Sequence, residues 1–454
     1  MPIQSINPAT GQIIQSFDVL TDDELAAKLK KSDDVFGSWK QRTLEERSEY
    51  MRKAAAVIRD NSETYAQLLT QEMGKVITEA RSEVEKCAYN FEHYADTSHE
   101  YLAPRTVQTD ASESYVSYEP LGAVLIIMPW NFAFWQVLRM AAPIIMAGNT
   151  ILLKHASNVP GSALAIEDIF RKAGVPEGVF QTLLIGSSKI EKIIENPIVK
   201  AVSLTGSEPA GRAVGAQAGK NVKPVVLELG GSDPSIILAD ADLDMAVKAV
   251  AYSRLLNNGQ SCIGSKRYIV VEDIYDDFME KIIAEFKTYV PGDPTLDDTK
   301  IGPVVSQGSL DEVLEQVQRA VDAGAKIELG GTQLDRPGSF LEPTILSNIT
   351  PDVPTYYEEI FGPVASVIKV KDQNEAIEVA NATSFGLGSS IYTSDIQNAK
   401  AMIPHIQAGS VFINGMVKSD PRLPFGGIKN SGVGRELSAE GARAFTNVKS
   451  VWIK

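Results

Sequence analysis

The chain of 454 residues is 44 % hydrophobic, which is ordinary for a globular protein, and its length predicts two or three domains. A formal net charge of −15 argues against nucleic acid or an anionic membrane as a partner. Two cysteines make no disulfide framework, so they predict reduced thiols in a cytoplasmic compartment.

Signals for secretion, membrane insertion and metal binding are not visible in the sequence. The N-terminal "MPIQSINPATGQ" has neither the basic nor the apolar region of a signal peptide. The longest apolar run, "AFWQVLRMAAPIIMAGNTILL", is interrupted by Arg139, Pro143 and Gly148, which makes it too broken for a membrane span. The four histidines are scattered without ligand spacing. We therefore expect a cytoplasmic protein with no membrane segment and no metal.

The first hundred residues predict helices. Thr21 and Glu24 form a capping-box pattern ahead of an apolar stripe, and Thr43 and Glu46 repeat it. A further helix carries Cys87 on the edge of its apolar stripe, where a free cysteine usually packs as a small hydrophobe. This cysteine is expected to be a buried packing residue.

From residue 121 short β-rich runs alternate with stretches that can form helices. The runs are "GAVLIIM", "NTILLKH", "VFQTLLIG", "AVSLTG" and "PVVLELGG", followed after residue 241 by "KRYIVVE", "ASVIKV", "LGSSIYT" and "SVFIN". Such alternation predicts parallel sheets covered by helices, with ligands beyond the carboxyl ends of the strands. The pattern predicts two α/β domains with a boundary near Gly230–Gly231, and an exposed loop at "VPGDPTLDD".

The stretch "NNGQSCIGSKR", residues 257–267, contains Cys262. This thiol lies in a turn rich in glycine and serine, on a segment expected to be distant from Cys87. A thiolate is the reactive form, and Lys266 or Arg267 would lower the pKa of Cys262 if either faced it. The local pattern leaves two interpretations open, a nucleophile and a small packing residue.

Glu228 in "KPVVLELGGS" comes near the end of an apolar strand. A carboxylate there is costly unless it is paired or used, and loss of water would raise its pKa toward the range of a general base. A salt-bridged structural glutamate is the alternative. In "PWNFAFWQ", the amide of Asn131 could donate to an oxyanion, while Trp130 and Trp135 could equally be packing residues.

"SLTGSEPAGR" places Gly206 at a strand end and Gly211 in the helix that follows. Glycines there would let a phosphate approach backbone N–H groups at a helix N-terminus. The spacing matches neither the dinucleotide fingerprint nor a P-loop, so an ordinary turn is equally consistent with it.

Seven motifs in one order resemble the NAD(P)-dependent aldehyde dehydrogenase superfamily. They are "PWNFAFW", "KHAS", "LTGSEPAG", "LELGGS", "GQSC", "EEIFGPV" and "PFGGIKNSGVGRE". The resemblance implies an α/β fold with a Rossmann-like cofactor domain (1–101 and 121–230), an α/β catalytic domain (231–430) and a small β oligomerisation element (102–120 and 440–454). It also implies a homodimer or homotetramer.

The resemblance implies roles for three catalytic residues. Cys262 is similar to the family nucleophile, Asn131 to the residue that holds the oxyanion together with the N–H of Cys262, and Glu228 to the base that activates water. The residues implied in cofactor binding are Trp130, Lys154, Ser157, Gly206, Ser207, Leu229, Glu359 and Phe361. Ser157 stands where members that prefer NAD often have glutamate, so NADP is expected to be preferred with NAD usable.

The substrate prediction depends on Arg139, which comes eight residues after Asn131 on the helix expected to open from "PWNF", and on Trp135 and Ser419. Two helical turns separate Arg139 from Asn131, so both are expected on the helix face that lines the substrate entrance. The arginine and the serine resemble the carboxylate-binding pair of family members that oxidise succinate semialdehyde, so a small semialdehyde acid is expected. A surface ion pair is the plain alternative for Arg139. Oxidation of another small aldehyde, a CoA-acylating reaction and an inactive crystallin-like member remain the alternative functions.

Overall fold

The computed structural model describes residues 2–454. The strands in chain order are β1 Ile3–Ile6, β2 Ile13–Phe17, β3 Arg105–Thr106, β4 Glu113–Pro120, β5 Ala123–Met128, β6 Thr150–His155, β7 Phe180–Thr182, β8 Val199–Thr205, β9 Val225–Glu228, β10 Pro234–Ile237, β11 Arg267–Val271, β12 Lys326–Leu329, β13 Thr344–Ser347, β14 Val364–Val370, β15 Gly388–Tyr392, β16 Ser410–Ile413, β17 Gly432–Val433 and β18 Thr446–Ile453. The α-helices are α1 Asp22–Trp39, α2 Leu44–Asp60, α3 Ser62–Met73, α4 Ile77–Tyr101, α5 Trp135–Met146, α6 Pro160–Lys172, α7 Ile190–Glu195, α8 Glu208–Lys220, α9 Leu243–Leu255, α10 Tyr275–Phe286, α11 Gln307–Asp322, α12 Gln373–Asn381, α13 Ile396–Met402 and α14 Ser438–Arg443.

The N-terminal hundred residues are helical only after residue 21. Both predicted capping boxes are present: the hydroxyls of Thr21 and Thr43 each accept the backbone N–H of the glutamate three residues later, and each threonine's own N–H donates to that glutamate's carboxylate. The prediction of helices alone was wrong for residues 3–17, because β1 and β2 form an antiparallel hairpin around a turn at Gly11. Cys87 is fully buried in α4, as predicted.

The first α/β unit is built on a six-stranded sheet in the order β17-β9-β8-β5-β6-β7. Strands β5 to β9 are parallel and coincide with the five predicted runs, and their almost continuous apolar character fits burial on both faces. The short strand β17 comes from far along the chain and pairs antiparallel with β9 at the edge. Glu228 is the last residue of β9, at the carboxyl end of this sheet.

The second unit is a seven-stranded sheet in the order β12-β13-β14-β11-β10-β15-β16. Its strands are parallel except for β12, which is antiparallel to β13. All four runs predicted after residue 241 are strands of this sheet. The segment 290–298 is a mostly exposed loop, as predicted, although Pro294 in it is buried.

A third, smaller sheet joins the two segments that the sequence suggested for the oligomerisation element. Strand β18 pairs antiparallel with β4 over eight residues, from Thr446 opposite Pro120 to Ile453 opposite Glu113, and β3 flanks β4. The three-stranded arrangement leaves β18 as an edge strand, with Val448 and Trp452 exposed.

The fold class is therefore mixed α/β with parallel sheets, as predicted from the sequence. No helix within residues 2–454 combines the length and the apolar character required to cross a bilayer. In the same part of the chain, no group of histidine, cysteine and acidic side chains is placed to hold a metal ion.

Candidate active site

A cavity of about 200 Å³ lies where α4, α5, the turn after α9 and the loop after β16 meet. Its lining is mostly apolar and includes Cys262 together with the three residues predicted for substrate binding, Arg139, Trp135 and Ser419. It also includes Lys86, for which no role was predicted. A small apolar cavity with a few convergent polar groups is the usual form of a site for a small molecule.

Cys262 follows a tight loop whose backbone is fixed by unusual dihedral angles. Asn257 and Asn258 have positive φ angles of 58° and 56°, and Gly259 continues with φ 77°. A Cβ atom at Gly259 would lie 2.3 Å from the backbone of Pro363, so only glycine fits there. The side-chain amide of Asn257 donates to the backbone carbonyls of Asn131 and Gln260, which holds this loop against the start of the α5 segment.

The environment of the Cys262 thiol is dominated by loss of water. Burial raises its pKa to about 12, while the positive charges of Lys266 and Arg139 oppose that shift. The Lys266 ammonium group donates to the carbonyls of Ser261 and Cys262, at 2.7 Å in each case. Arg267 donates to carbonyls elsewhere and does not serve the thiol. Of the two basic residues considered from the sequence, only Lys266 favours the thiolate.

Asn131 is buried in the turns between β5 and α5. Its Nδ2 donates to the carbonyl of Gln260 at 3.1 Å. Gln260 is two residues before Cys262, so the amide lies beside the loop that carries this cysteine. One N–H of an amide group remains after that bond. The geometry is compatible with the predicted oxyanion role.

Glu228 is almost completely buried, and neither of its carboxylate oxygens has a hydrogen-bond partner among the described residues. It is therefore not the salt-bridged structural glutamate considered as the alternative. Burial, reinforced by the neighbouring carboxylate of Glu436, raises the pKa of Glu228 well above its ordinary value. A Cβ atom at Gly426 would lie 2.6 Å from Oε1 of Glu228, so the glycine leaves room for this carboxylate.

Arg139 is buried in α5 and makes an ion pair with Glu436, with 2.6 Å between Nε and Oε2. The alternative of a surface ion pair for Arg139 was therefore wrong, because the ion pair is buried. The argument for a shared helical face also needs correction, because α5 begins at Trp135 and Asn131 precedes it. Trp135 and Arg139, one turn apart in the helix, are the two residues that share the face lining the cavity.

Trp135, Ser419 and Lys86 form a connected group on the cavity wall. The indole N–H of Trp135 donates to Oγ of Ser419 at 3.1 Å, and the ammonium group of Lys86 donates to the same oxygen at 2.9 Å. Nζ of Lys86 lies 4.1 Å from the centroid of a Trp135 ring, a cation–π distance. The loop before "PFGG" is thereby tied to α4 and α5.

The start of α5 is held by Glu83 of α4. Its Oε1 accepts the backbone N–H groups of Phe134 and Trp135 at 3.0 and 2.9 Å, and its other oxygen pairs with buried Lys75. Donors at a helix start lack partners inside the helix, so a carboxylate there satisfies them and complements the helix dipole. No sequence pattern indicated this contact, because Glu83 lies on a different helix.

The residues predicted to bind the cofactor lie mainly at the carboxyl ends of β6 and β8. Lys154 is buried near the end of β6, and its ammonium group has no hydrogen-bond or ion-pair partner among residues 2–454. Ser157 is exposed just beyond the same strand. Gly206 follows β8, and Ser207 is the N-cap of α8 with its side chain outside the helix hydrogen bonds.

The remaining predicted cofactor residues lie where the two α/β units meet. A Cβ atom added at Gly211 would lie 2.4 Å from the side chain of Leu229, so this glycine allows α8 to pack against the end of β9. Glu359 pairs with Lys266 at 3.1 Å, and the ring of Phe361 meets Trp130 edge to face with 5.7 Å between centroids.

A model of the aldehyde dehydrogenase family matches residues 1–451. The chain belongs to the aldehyde dehydrogenase family. The resemblance read from the seven motifs is thus confirmed, and with it the fold class.

Full-length members of this family are similar to the chain. Succinate-semialdehyde dehydrogenase NADP(+) 1 of Mycobacterium tuberculosis is 49 % identical over 456 residues, covering 100 % of both chains. The NADP(+) succinate-semialdehyde dehydrogenase of Mycobacterium avium is 48 % identical, covering 100 % of this chain and 97 % of its own. The crystal structure of succinic semialdehyde dehydrogenase from Streptococcus pyogenes in complex with NADP+ superposes with a TM-score of 0.98, at 41 % identity and 99 % coverage of each chain.

Two aldehyde dehydrogenase site residues were missed from the sequence. Glu436 ends the motif "PFGGIKNSGVGRE" and was therefore visible, but nothing local indicated that it would pair with Arg139. Lys86 lies between Glu85 and Cys87 on α4 and reads as one more surface lysine. The helix carrying Cys87 was also expected to be distant from Cys262, whereas its residues Ser82 and Lys86 line the same cavity.

Proposed function

We propose that this aldehyde dehydrogenase oxidises succinate semialdehyde to succinate with NADP, and with NAD as a secondary cofactor. The observation that carries the proposal is a single cavity containing both the Cys262 thiol and the Arg139 guanidinium. A short semialdehyde acid has an aldehyde for the first and a carboxylate for the second. The relatives named for the same reaction support the assignment.

The residues at the carboxyl ends of the sheet fit an anionic dinucleotide. Lys154 is largely buried at the end of β6, and its ammonium group has no hydrogen-bond or ion-pair partner among residues 2–454, so its charge is available to an anionic ligand. Ser157 would donate to a 2′-phosphate without the repulsion that a carboxylate would cause. Ser207, Gly206 and Leu229 would form the contact with the pyrophosphate side of the cleft, since α8 begins there.

On the other side of the cleft, Glu359 would bind a ribose, and Phe361 with Trp130 would position the nicotinamide ring. When bound, NADP accepts the hydride that leaves the substrate carbon. These assignments depend on the match of each residue to the family motif.

In the first chemical step Cys262 loses its proton, and the thiolate adds to the aldehyde carbon. The high pKa of the thiol means that the charge must be stabilised, and Lys266 supplies the nearest opposing charge. The oxygen of the adduct becomes negative and would accept hydrogen bonds from Asn131 and from the backbone N–H of Cys262. Removing one such donor typically costs about 3–4 kcal/mol of transition-state stabilisation.

After the hydride has left, the substrate is a thioester of Cys262 that water must cleave. Glu228 would take a proton from that water as it attacks, which requires the ionised carboxylate, and the C–S bond would then break to release the acid and restore the thiolate of Cys262. Burial and Glu436 disfavour this form, whereas the charge of Arg139 favours it. A glutamate at this position supports hydrolysis over transfer of the acyl group to CoA, and the intact set of Cys262, Glu228 and Asn131 argues against an inactive family member.

The test is NADPH formation by the purified protein with succinate semialdehyde or butanal, each with and without CoA. We expect a kcat/KM for succinate semialdehyde at least about tenfold above that for butanal, independent of CoA. A requirement for CoA would support the acylating alternative. Equal activity on both aldehydes would leave the enzyme as a dehydrogenase of small aldehydes in general.

We also propose that the chain forms a homodimer or homotetramer through the three-stranded sheet of residues 102–120 and 440–454. The exposed edge strand β18 and its apolar residues Val448 and Trp452 support this role.

In the same scheme, residues 1–101 and 121–230 form the cofactor domain and residues 231–430 the catalytic domain. The two free cysteines fit a cytoplasmic location. Sedimentation of Trp452→Lys would detect loss of the assembly.

A further inference from the structure

We propose that Lys86 is a specificity-determining residue that binds the carboxylate of the substrate, together with Arg139 and Ser419. The inference rests on the proposed function, since it concerns the tail of the same semialdehyde acid. Lys86 lines the cavity that contains Cys262, although it comes from α4 and belongs to none of the seven motifs. Its ammonium group is fixed by Oγ of Ser419 at 2.9 Å and by the Trp135 ring at 4.1 Å.

Among the cations that line the cavity, Lys86 is the one that is both partly buried and unpaired, since Lys418 also lines it but is exposed. Arg139 has a positive charge, but Glu436 neutralises it through a buried ion pair. The positive charge of Lys75 is likewise neutralised by Glu83. Lys86 has no ion-pair partner among residues 2–454, so its charge is available to a carboxylate. A carboxylate entering a partly dry cavity needs such an uncompensated cation.

The hydrogen bonds of Ser419 show how the group would act. A serine hydroxyl has two acceptor sites and one donor hydrogen. Lys86 and Trp135 both donate to Oγ of Ser419, which occupies the two acceptor sites. The remaining hydrogen of Ser419 must then be donated to another group, and a carboxylate in the cavity is a suitable acceptor. Nε and Nη2 of Arg139 are buried and likewise have no hydrogen-bond partner among the described residues.

The same geometry makes recognition sensitive to pH. Burial, and secondarily the charge of Arg139, lowers the pKa of Lys86 to about 8, while Cys87, Glu83 and Asp420 oppose the shift. A bound carboxylate favours the ammonium form, so the free enzyme loses affinity for the acid as the pH rises through this value. Butanal, which has no carboxylate, lacks this dependence.

The experiment compares Lys86→Met with the unmodified protein on succinate semialdehyde and on butanal at pH 7. We expect KM for succinate semialdehyde to rise at least about tenfold, with kcat within about twofold, and kcat/KM for butanal to change by less than about twofold. Lys86→Arg, which keeps the charge, should recover most of the loss. Lys53→Met removes an exposed lysine of the neighbouring helix α2 and controls for the general change in charge.

A second measurement uses only the unmodified protein. The ratio of kcat/KM for succinate semialdehyde to that for butanal should fall by about tenfold between pH 7 and pH 9. A ratio that is constant with pH, or equal losses on both aldehydes in Lys86→Met, would overturn the role of Lys86. The proposed function fails in a different way, if the unmodified protein does not prefer succinate semialdehyde to butanal at pH 7.

Discussion

Nε of Arg139, a residue of the cavity wall, lies 2.6 Å from Oε2 of Glu436, and both side chains are almost fully buried. The pair joins α5 to the segment just before α14, and both charges act on buried Glu228, whose pKa Glu436 raises and Arg139 lowers. Removing one partner of a buried pair leaves an uncompensated charge, which typically costs about 3–5 kcal/mol. Any test of Arg139 in binding must therefore separate recognition from stability.

Arg139→Ala should raise KM for succinate semialdehyde by at least about tenfold and change KM for butanal by less than about twofold. It should also lower Tm, because Glu436 loses its partner. The double variant Arg139→Met with Glu436→Gln removes both charges and should recover much of the Tm while KM for the acid remains high. If the double variant also restored KM, Arg139 would act through the fold and not through the substrate.

Cys262→Ala should abolish NADPH formation, because no other cysteine lines the described cavity. Glu228→Gln should allow hydride transfer and stall before hydrolysis, giving a burst of about one NADPH per active site followed by slow turnover. Rapid-mixing absorbance at 340 nm separates the two phases, and mass spectrometry should find the acyl group on Cys262. Steady turnover of Glu228→Gln at the unmodified rate would remove Glu228 from the role of base.

Ser157→Glu should change the ratio of kcat/KM for NADP to that for NAD by at least about tenfold in favour of NAD. A carboxylate there would accept hydrogen bonds from ribose hydroxyls and repel a 2′-phosphate, while Lys154 nearby remains unchanged. Ser38→Glu, which changes an exposed serine of α1, is the matched control. An unaltered cofactor ratio would mean that other groups discriminate between the two nucleotides.

Glu79, which contacts the loop before Cys262, makes the free energy of unfolding depend on pH. Burial raises its pKa to about 7, although its carboxylate accepts the N–H of Asn257 at 2.8 Å. The folded chain therefore holds the proton more tightly than the unfolded chain, whose glutamate titrates near 4.5. The stability that this difference in proton binding contributes is fully present below the unfolded pKa of 4.5, and it is lost as the pH rises through about 7.

Glu79→Gln keeps the acceptor for Asn257 and removes the titration. We expect it to raise Tm by about 2–4 °C at pH 8 and not to raise it at pH 5. Glu191→Gln, at an exposed glutamate of α7, is the control and should have no such pH-dependent effect. Calorimetry at both pH values provides the measurement, and a gain in Tm that is equal at pH 5 and pH 8 would contradict the assignment.

Local patterns predicted the elements and failed where the structure depends on distant segments. The capping boxes at Thr21 and Thr43 and the apolar runs of both sheets are contained within a few residues, so the sequence revealed them. The hairpin β1–β2 was missed because its residues are largely exposed and lack an apolar alternation. The geometry at its turn is nevertheless supplied by a single glycine, Gly11.

The site, too, contains residues that local motifs predicted and contacts between distant segments that they did not. Motifs located Cys262, Glu228 and Asn131 because the chemistry depends on their residue types. The ion pair of Arg139 with Glu436 could not be read in the same way, since the two residues are far apart in the chain and meet only when the segment between β17 and α14 packs against α5. Lys86 was missed for a related reason, because its helical position gives no sign that α5 and a distant loop cover it.

The pairing of β17 with β9 has a consequence for the order of folding. Leu229 donates its backbone N–H to the carbonyl of Ser431 at 2.8 Å, and Oγ of Ser431 donates to the carbonyl of Gly230, 201 residues earlier in the chain. Contacts between such remote segments form slowly, because a long loop must close before they contribute. Strand β9, which ends in Glu228, can pair with β8 early in folding. Its other edge remains unpaired until β17, in the last tenth of the chain, has been made and packs against it. In a ribosome-bound chain lacking residues beyond 430, the outer edge of β9 would therefore still be unpaired beside Glu228.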